Sequence, residues 1–87
     1  MKEMVEFEVI EERIIPFGKR NFIEVARKRA LFSRGEAEFI SIARGYFTQD
    51  DERRYRNSVT LPLDSEVLRD LVEAVRGVAE GLEAVEE

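Results

Sequence analysis

Residues 39–61, FISIARGYFTQDDERRYRNSVTL, decide the fold of this chain. The first part, residues 39–48, is rich in Ile, Tyr, Phe and Thr, which suit a pleated strand. The middle, residues 49–52, is entirely polar and predicts a turn. The last part is extended again and ends at Pro62. We interpret the stretch as a β-hairpin with aromatic rings and arginines on both arms.

Two further strands precede this hairpin. Residues 5–15 alternate at first and predict a strand with one buried face, and Pro16 suggests that this strand ends or lies at a sheet edge. Residues 21–31 predict a second strand, although their alternation does not identify the buried face. A helix over residues 24–32 is the second-ranked alternative, because Ala, Arg and Lys are good helix formers.

A helix over about residues 65–82 follows the hairpin, with Asp64 or Ser65 as its cap. Its apolar residues recur every three or four positions, as in an amphipathic helix. The chain therefore predicts a single α+β domain, residues 1–87, in which a four-stranded antiparallel sheet is followed by one C-terminal helix (ββββα). We expect residues 83–87 to form a mobile acidic tail.

One helix covers one face of a four-stranded sheet and leaves the other open to solvent or a partner. Such a small core favours a homodimer built on the apolar stripe of the helix. The predicted interface residues are Leu68, Leu71, Val72, Val75, Val78 and Ala79.

The composition excludes several classes of protein. The 87 residues contain no Cys and no His, which removes disulfides, thiolate metal sites and the commonest general base. No glycine-rich phosphate loop or convergent carboxylate motif is present, so we expect neither an enzyme nor a cofactor. No membrane span or signal peptide is apparent, which favours a cytoplasmic, nucleoid-associated protein. The 38% of charged residues and the few amides lean weakly towards a thermophile.

The charge is unevenly distributed along the chain. The net charge is −5 overall, but residues 13–56 carry +5 between an N-terminal segment of −4 and a C-terminal segment of −6. A basic middle between acidic ends can form a basic face on an acidic protein. Ordinary mixed charge on solvated strand faces is the alternative.

Aromatic rings interleaved with guanidinium groups suit a single-stranded nucleic acid, because bases stack on rings and phosphates pair with cations. The candidate binding residues are Lys19, Arg20, Arg27, Lys28, Arg29, Arg44, Tyr46, Phe47, Arg53, Arg54, Tyr55 and Arg56.

Each of these residues also has a plainer interpretation. Tyr46 and Phe47 are neighbours on one strand and must point to opposite faces, so one of them is expected to fill the core. The arginines at 53, 54 and 56 could simply balance the acidic turn at residues 50–52.

Three short motifs carry a resemblance to a known family. The sequence FGKRNFIEV at residues 17–25, RGYF at 44–47 and SVTL at 58–61 before a capped helix resemble the DNA-binding domain of the transcriptional positive cofactor family, the p15-like coactivators. The similarity spans roughly residues 17–78. It implies a four-stranded antiparallel sheet, a homodimer joined through the helices, and single-stranded DNA along the sheet.

The chain departs from the family pattern at two places. The connection at residues 31–36 is longer, so the equivalence of Phe32 with the family's loop aromatic is open. Phe47 stands where the family usually carries tryptophan, which keeps a stacking surface but makes it smaller. The acidic N-terminal strand has no clear counterpart.

Two functions follow as hypotheses. The first is a single-stranded nucleic-acid-binding protein, with DNA favoured over RNA, in a coactivator-like role or in protection of single strands, with transcription or replication proteins as partners. The second is a protein-interaction module that uses the open sheet face and binds no nucleic acid.

Overall fold

The computed structural model describes residues 5–82 and contains one antiparallel sheet followed by one helix. The strands lie in the order β1-β2-β3-β4, so each strand pairs with its neighbour in the chain. The predicted ββββα fold is confirmed. The elements are β1 (Glu6–Phe17), β2 (Asn21–Phe32), β3 (Gly35–Phe47), β4 (Arg53–Pro62) and α1 (Ser65–Ala79).

Strand β1 is longer than predicted, because it continues through Pro16 to Phe17. Proline is tolerated there since β1 is an edge strand and pairs only with β2. The expectation that one face of this strand is buried was wrong. Within β1, Ile14 is half-buried and all other residues are exposed. An edge strand has a neighbour on one side only, and no described element covers it.

Residues 24–32 belong to strand β2, so the alternative helix is wrong. This segment pairs with β1 on one side and with β3 on the other. Two ladders of backbone hydrogen bonds outweigh the modest helix preference of its Ala, Arg and Lys residues.

The two faces of the sheet differ in whether the helix lies over them. We call the face that carries Phe22, Glu24 and Ala26 the open face, and the face that carries Ile23 and Val25 the helix face. Helix α1 lies over the helix face, where its residues and those of β1–β4 line an apolar cleft of about 590 Å³. No described helix lies over the open face.

The most buried side chains lie on the open face, which corrects the expectation that the helix would cover the buried side. Phe22 is 0% and Glu24 2% exposed, and Ala26, Ser41 and Ala43 are also buried. Larger side chains on the same face cover Phe22 and Glu24. The rings of Phe47 and Tyr55 pack on Phe22, and the hydroxyl of Tyr55 binds Glu24. No residue of α1 is buried.

A β-bulge interrupts each outer pairing of the sheet. Ile10 is the extra residue in β1, and Arg56 is the extra residue in β4 opposite the Arg44–Gly45 step. At Gly45 a Cβ would collide with the carbonyl oxygen of Arg54 and would also lie 2.9 Å from the Phe22 ring. Gly45 is therefore required by the close approach of β4 to β3.

Helix α1 is capped by Asp64, whose carboxylate accepts hydrogen bonds from the backbone N–H groups of Glu66 and Val67 at 3.0 and 3.2 Å. The helix ends at Ala79, three residues before the predicted end. The predicted tail, residues 83–87, lies outside the described residues. Within residues 5–82 no helix has the length and apolar character needed to span a membrane.

Candidate nucleic-acid interface

Three aromatic side chains form a cluster at one end of the open face, which we call the Tyr55 cluster: Phe22, Phe47 and Tyr55. The Phe22 ring centroid lies 4.8 Å from that of Phe47 and 5.6 Å from that of Tyr55, the latter edge to face. Phe22 is fully buried, Phe47 is half-buried and Tyr55 is 51% exposed. Phe22 thus supports two rings that reach solvent.

A buried carboxylate fixes Tyr55. Its hydroxyl donates a 2.7 Å hydrogen bond to Glu24, and burial together with this bond raises the pKa of Tyr55. Arg53 donates to the same carboxylate at 3.1 Å and pairs with Glu12 at 2.9 Å. The tyrosine ring is therefore held in place, while two carboxylates neutralise the charge of Arg53.

The side chains in the middle of the open face are small. Ala26 on β2 lies opposite Ser41 on β3, which lies opposite Thr60 on β4. Ala43 is likewise opposite Ser58. Short side chains let a ligand backbone approach the sheet closely, and the three hydroxyl groups offer hydrogen bonds to it.

The turn between β1 and β2 adds positive charge beside the Tyr55 cluster. The backbone N–H of Phe47 donates to the carbonyl of Arg20 at 2.7 Å, so this turn adjoins the end of β3. Arg20 is 3.9 Å from Asp51, whereas Lys19 has no ion pair among residues 5–82. Lys19 is thus an unpaired cation, within the described residues, in a turn that adjoins the end of β3.

The arginines of β2 are neutralised on the helix face. Arg27 donates two hydrogen bonds to Glu38, at 2.9 and 2.6 Å. Arg29 pairs with Glu8, Glu36 and Glu38 at 3.0–3.2 Å. Hydrogen bonds from Arg27 and then Arg29 hold the pKa of Glu38 below its usual value, so this carboxylate stays ionised at neutral pH.

Two arginines without a carboxylate partner in the described part of the chain lie over aromatic rings near the same end of the sheet. Arg44 lies 5.5 Å from the centroid of Phe17, and Arg56 lies 5.0 Å from that of Tyr46. Both separations fit cation–π contacts. These side chains keep their charge available to an anionic ligand.

The structure places the twelve candidate binding residues on two faces and in one turn. Tyr46 and Phe47 point to opposite faces, as predicted: Tyr46 lies against Arg56 and Phe47 against Phe22. The open face carries Lys28, Phe47, Arg53 and Tyr55. The helix face carries Arg27, Arg29, Arg44, Tyr46 and Arg54, the turn carries Lys19 and Arg20, and Arg56 is the bulged residue.

Sequence reasoning missed Phe22 and Glu24. Phe22 is the support of the exposed rings, and Glu24 orients Tyr55. A single acidic residue among apolar ones in a central strand is a signal for a buried, paired carboxylate, but its partners lie 29 and 31 residues away.

The predicted dimer interface is largely exposed. Leu68 and Leu71 are half-buried over the cleft of the helix face, whereas Val72, Val75 and Val78 are 56%, 61% and 85% exposed. Exposed valines on one side of a helix, next to an apolar cleft, form a contiguous apolar surface.

Residues 5–82 contain no group of three or more acidic side chains placed to hold a metal ion. The chain matches no protein-family model, no curated protein and no solved structure. Any assignment of function therefore depends on the side chains described above.

Proposed function

We propose that this protein binds single-stranded nucleic acid on the open face of its sheet and acts by binding rather than by catalysis. The observation that carries the proposal is the Tyr55 cluster. Phe47 and Tyr55 present rings to solvent over a buried Phe22, on a face that no described helix covers. Stacking on such rings is the principal sequence-tolerant contact of single-strand-binding proteins.

The arrangement favours single strands over duplexes. Rings on a sheet surface reach bases only when the bases are unstacked and unpaired. The turn that carries Lys19 and Arg20 adjoins Phe47 through the backbone of Arg20, and its two side chains supply cations for the phosphates that flank a stacked base. The resemblance to the positive cofactor family favours DNA over RNA and a coactivator-like or strand-protecting role beside transcription or replication proteins.

We propose further that the protein acts as a homodimer through α1. The radius of gyration is 16.0 Å, against about 12 Å for a compact domain of this length. No described helix residue is buried, and the apolar cleft lies open beside the exposed valines. A second copy of the helix would cover both surfaces.

The same cleft supports a second candidate, a protein-interaction module. Its lining is almost entirely aliphatic and suits an apolar polypeptide segment from another protein. In that case a segment of the partner protein, rather than a second copy of this chain, would occupy the cleft.

Fluorescence anisotropy tests the first proposal. A labelled oligothymidylate, its duplex form and an RNA of equal length are titrated at low and at high salt. We expect the single strands to bind more tightly than the duplex, and the affinity to fall as salt rises because counterions are released on binding. Absence of binding to either single strand at low salt would refute the proposal.

A further inference from the structure

A second pair of aromatic rings lies on the open face, and its β3 member is eight residues from Phe47 along the strand. Phe7 of β1 and Phe39 of β3 meet edge to face, with ring centroids 6.2 Å apart. In the strand register Phe7 lies opposite Ala30, and Phe39 lies opposite Lys28. The two rings reach each other across β2, where the short side chain of Ala30 leaves room.

Phe7 is exposed to an unusual degree for a phenylalanine. It is 63% exposed although it touches Phe39, and no described element covers its outer side. A ring with this much exposed surface offers a place on which a planar group can stack.

Lys28 supplies a cation beside this pair. It lies on the open face between Val9 and Phe39 in the register. Its amine forms an ion pair with the Glu24 carboxylate at 4.0 Å, which is beyond hydrogen-bond distance, so its N–H donors can still bind a phosphate. A stacking ring and a nearby cation are thus present at two separate places on the open face.

We propose that Phe7, Phe39 and Lys28 form a second subsite for a nucleotide of the same bound strand. This inference rests on the proposed function. Phe39 and Phe47 are eight residues apart on β3, which corresponds to about 26 Å at about 3.3 Å per residue. A fully stacked strand rises about 3.4 Å per nucleotide, which sets an upper limit of about eight nucleotides between the two subsites, and a strand with unstacked bases spans them with fewer. Between them, the small side chains of Ser41 and Ala43 let the strand lie close to the sheet.

The length of the oligonucleotide tests this subsite. We compare the affinities of the wild type and Phe7→Ala for oligothymidylates of about four and about twelve nucleotides. The short strand engages the Tyr55 cluster alone, so its affinity should not change. The long strand should bind Phe7→Ala about five- to 150-fold more weakly, since one stacked base is lost.

Two variants control for folding and for ring chemistry. Phe17→Ala removes an exposed ring from the same strand on the helix face, and it should leave the length dependence unchanged. Phe7→Tyr keeps a ring at the site and should bind the long strand like the wild type. The thermal melts of all variants are recorded beside the affinities.

The outcomes separate this inference from the function on which it rests. If the wild type binds no single strand, the proposed function fails. If the wild type binds and Phe7→Ala shows the same gain of affinity with length, only the second subsite is refuted.

Discussion

The hydroxyl of Tyr55 on edge strand β4 donates a 2.7 Å hydrogen bond to Glu24 on the inner strand β2. Strand β3 lies between them, and Gly45 is the β3 residue opposite Tyr55. The absence of a side chain at Gly45 lets the tyrosine reach across β3. The bond therefore depends on three strands at once and couples an exposed ring to a buried charge.

Tyr55→Phe should destabilise the protein without much effect on binding. The substitution removes one of the donors of a carboxylate that is 2% exposed, at a cost of about 1–2 kcal/mol in the free energy of unfolding. The ring remains, so the affinity for a single strand should change less than twofold. Urea denaturation and anisotropy measure the two quantities. Tyr55→Ala, which removes the ring, should lower both.

The same bond predicts a loss of stability in alkaline solution. Burial and the hydrogen bond to Glu24 raise the pKa of Tyr55, so the fold favours the neutral phenol. This contribution is fully present below the unfolded-state pKa of about 10 and is lost as the pH rises through the higher folded-state value. The free energy of unfolding of the wild type should therefore fall more steeply above pH ~10 than that of Tyr55→Phe. Parallel slopes for the two proteins would contradict the assignment.

Phe47→Ala should weaken single-strand binding by about 1–3 kcal/mol, the contribution of one stacked base. Because Phe47 packs on Phe22, the variant should also melt earlier than the wild type. Phe47→Tyr keeps the ring for both roles and should therefore retain both the affinity and the melting temperature. Tyr46→Ala removes a ring from the helix face and should leave affinity nearly unchanged. A greater loss of affinity in Tyr46→Ala than in Phe47→Ala would move the binding site to the helix face.

The contribution of each cation to nucleic-acid binding should depend on whether an ion pair within the protein already neutralises it. Lys19→Gln removes a cation that is unpaired in the described part of the chain, and it should reduce the slope of log affinity against log salt by about 0.7, the value for one phosphate on a single strand. Arg29→Gln removes a cation that three glutamates already neutralise, so the slope should stay constant. Equal changes in the two variants would indicate that the strand contacts the helix face and that the ion pairs of Arg29 open on binding.

Val75→Glu should dissociate the proposed dimer. Val75 is 61% exposed in the single chain, so a charge there is harmless to a monomer but is desolvated at a helix–helix interface. Gly77→Glu adds the same charge on the same helix, where a new Cβ would meet nothing within 4 Å, and it should leave the dimer intact. Sedimentation velocity at micromolar concentration compares the two. A monomeric wild type would overturn the dimer proposal.

The order of the elements could be predicted from local patterns, because the polar turn at residues 49–52 and the capped stripe of α1 are short-range signals. The buried face of β2 could not be predicted from such local patterns. Phe22 and Ala26 flank Glu24 on one face while Ile23 and Val25 share the other, so hydrophobicity alone favours the wrong side. Glu24 is buried because Arg53 and Tyr55 bind it, and this contact exists only once the register of four strands is set.

The ion-pair partners of the arginines on β2 could not be predicted from the sequence either. Arg27 and Arg29 look like a basic cluster with Lys28, but the antiparallel register of β2 and β3 puts Glu38 opposite Arg29. Their charge is cancelled by residues that sequence spacing does not bring together.

The bulge at Arg56 divides β4 into two segments of opposite phase. Before it, odd-numbered residues such as Arg53 and Tyr55 face the open side; after it, even-numbered residues such as Ser58 and Thr60 do. Because Arg56 is the extra residue, its deletion would join the two segments into one regular strand while Tyr55 and Ser58 keep their faces. A one-residue deletion elsewhere in β4 could be absorbed by loss of the bulge, and the residues between the deletion and position 56 would then turn to the other face. The bulge therefore gives β4 a tolerance for a shorter chain at Arg56 that a strand of regular alternation lacks.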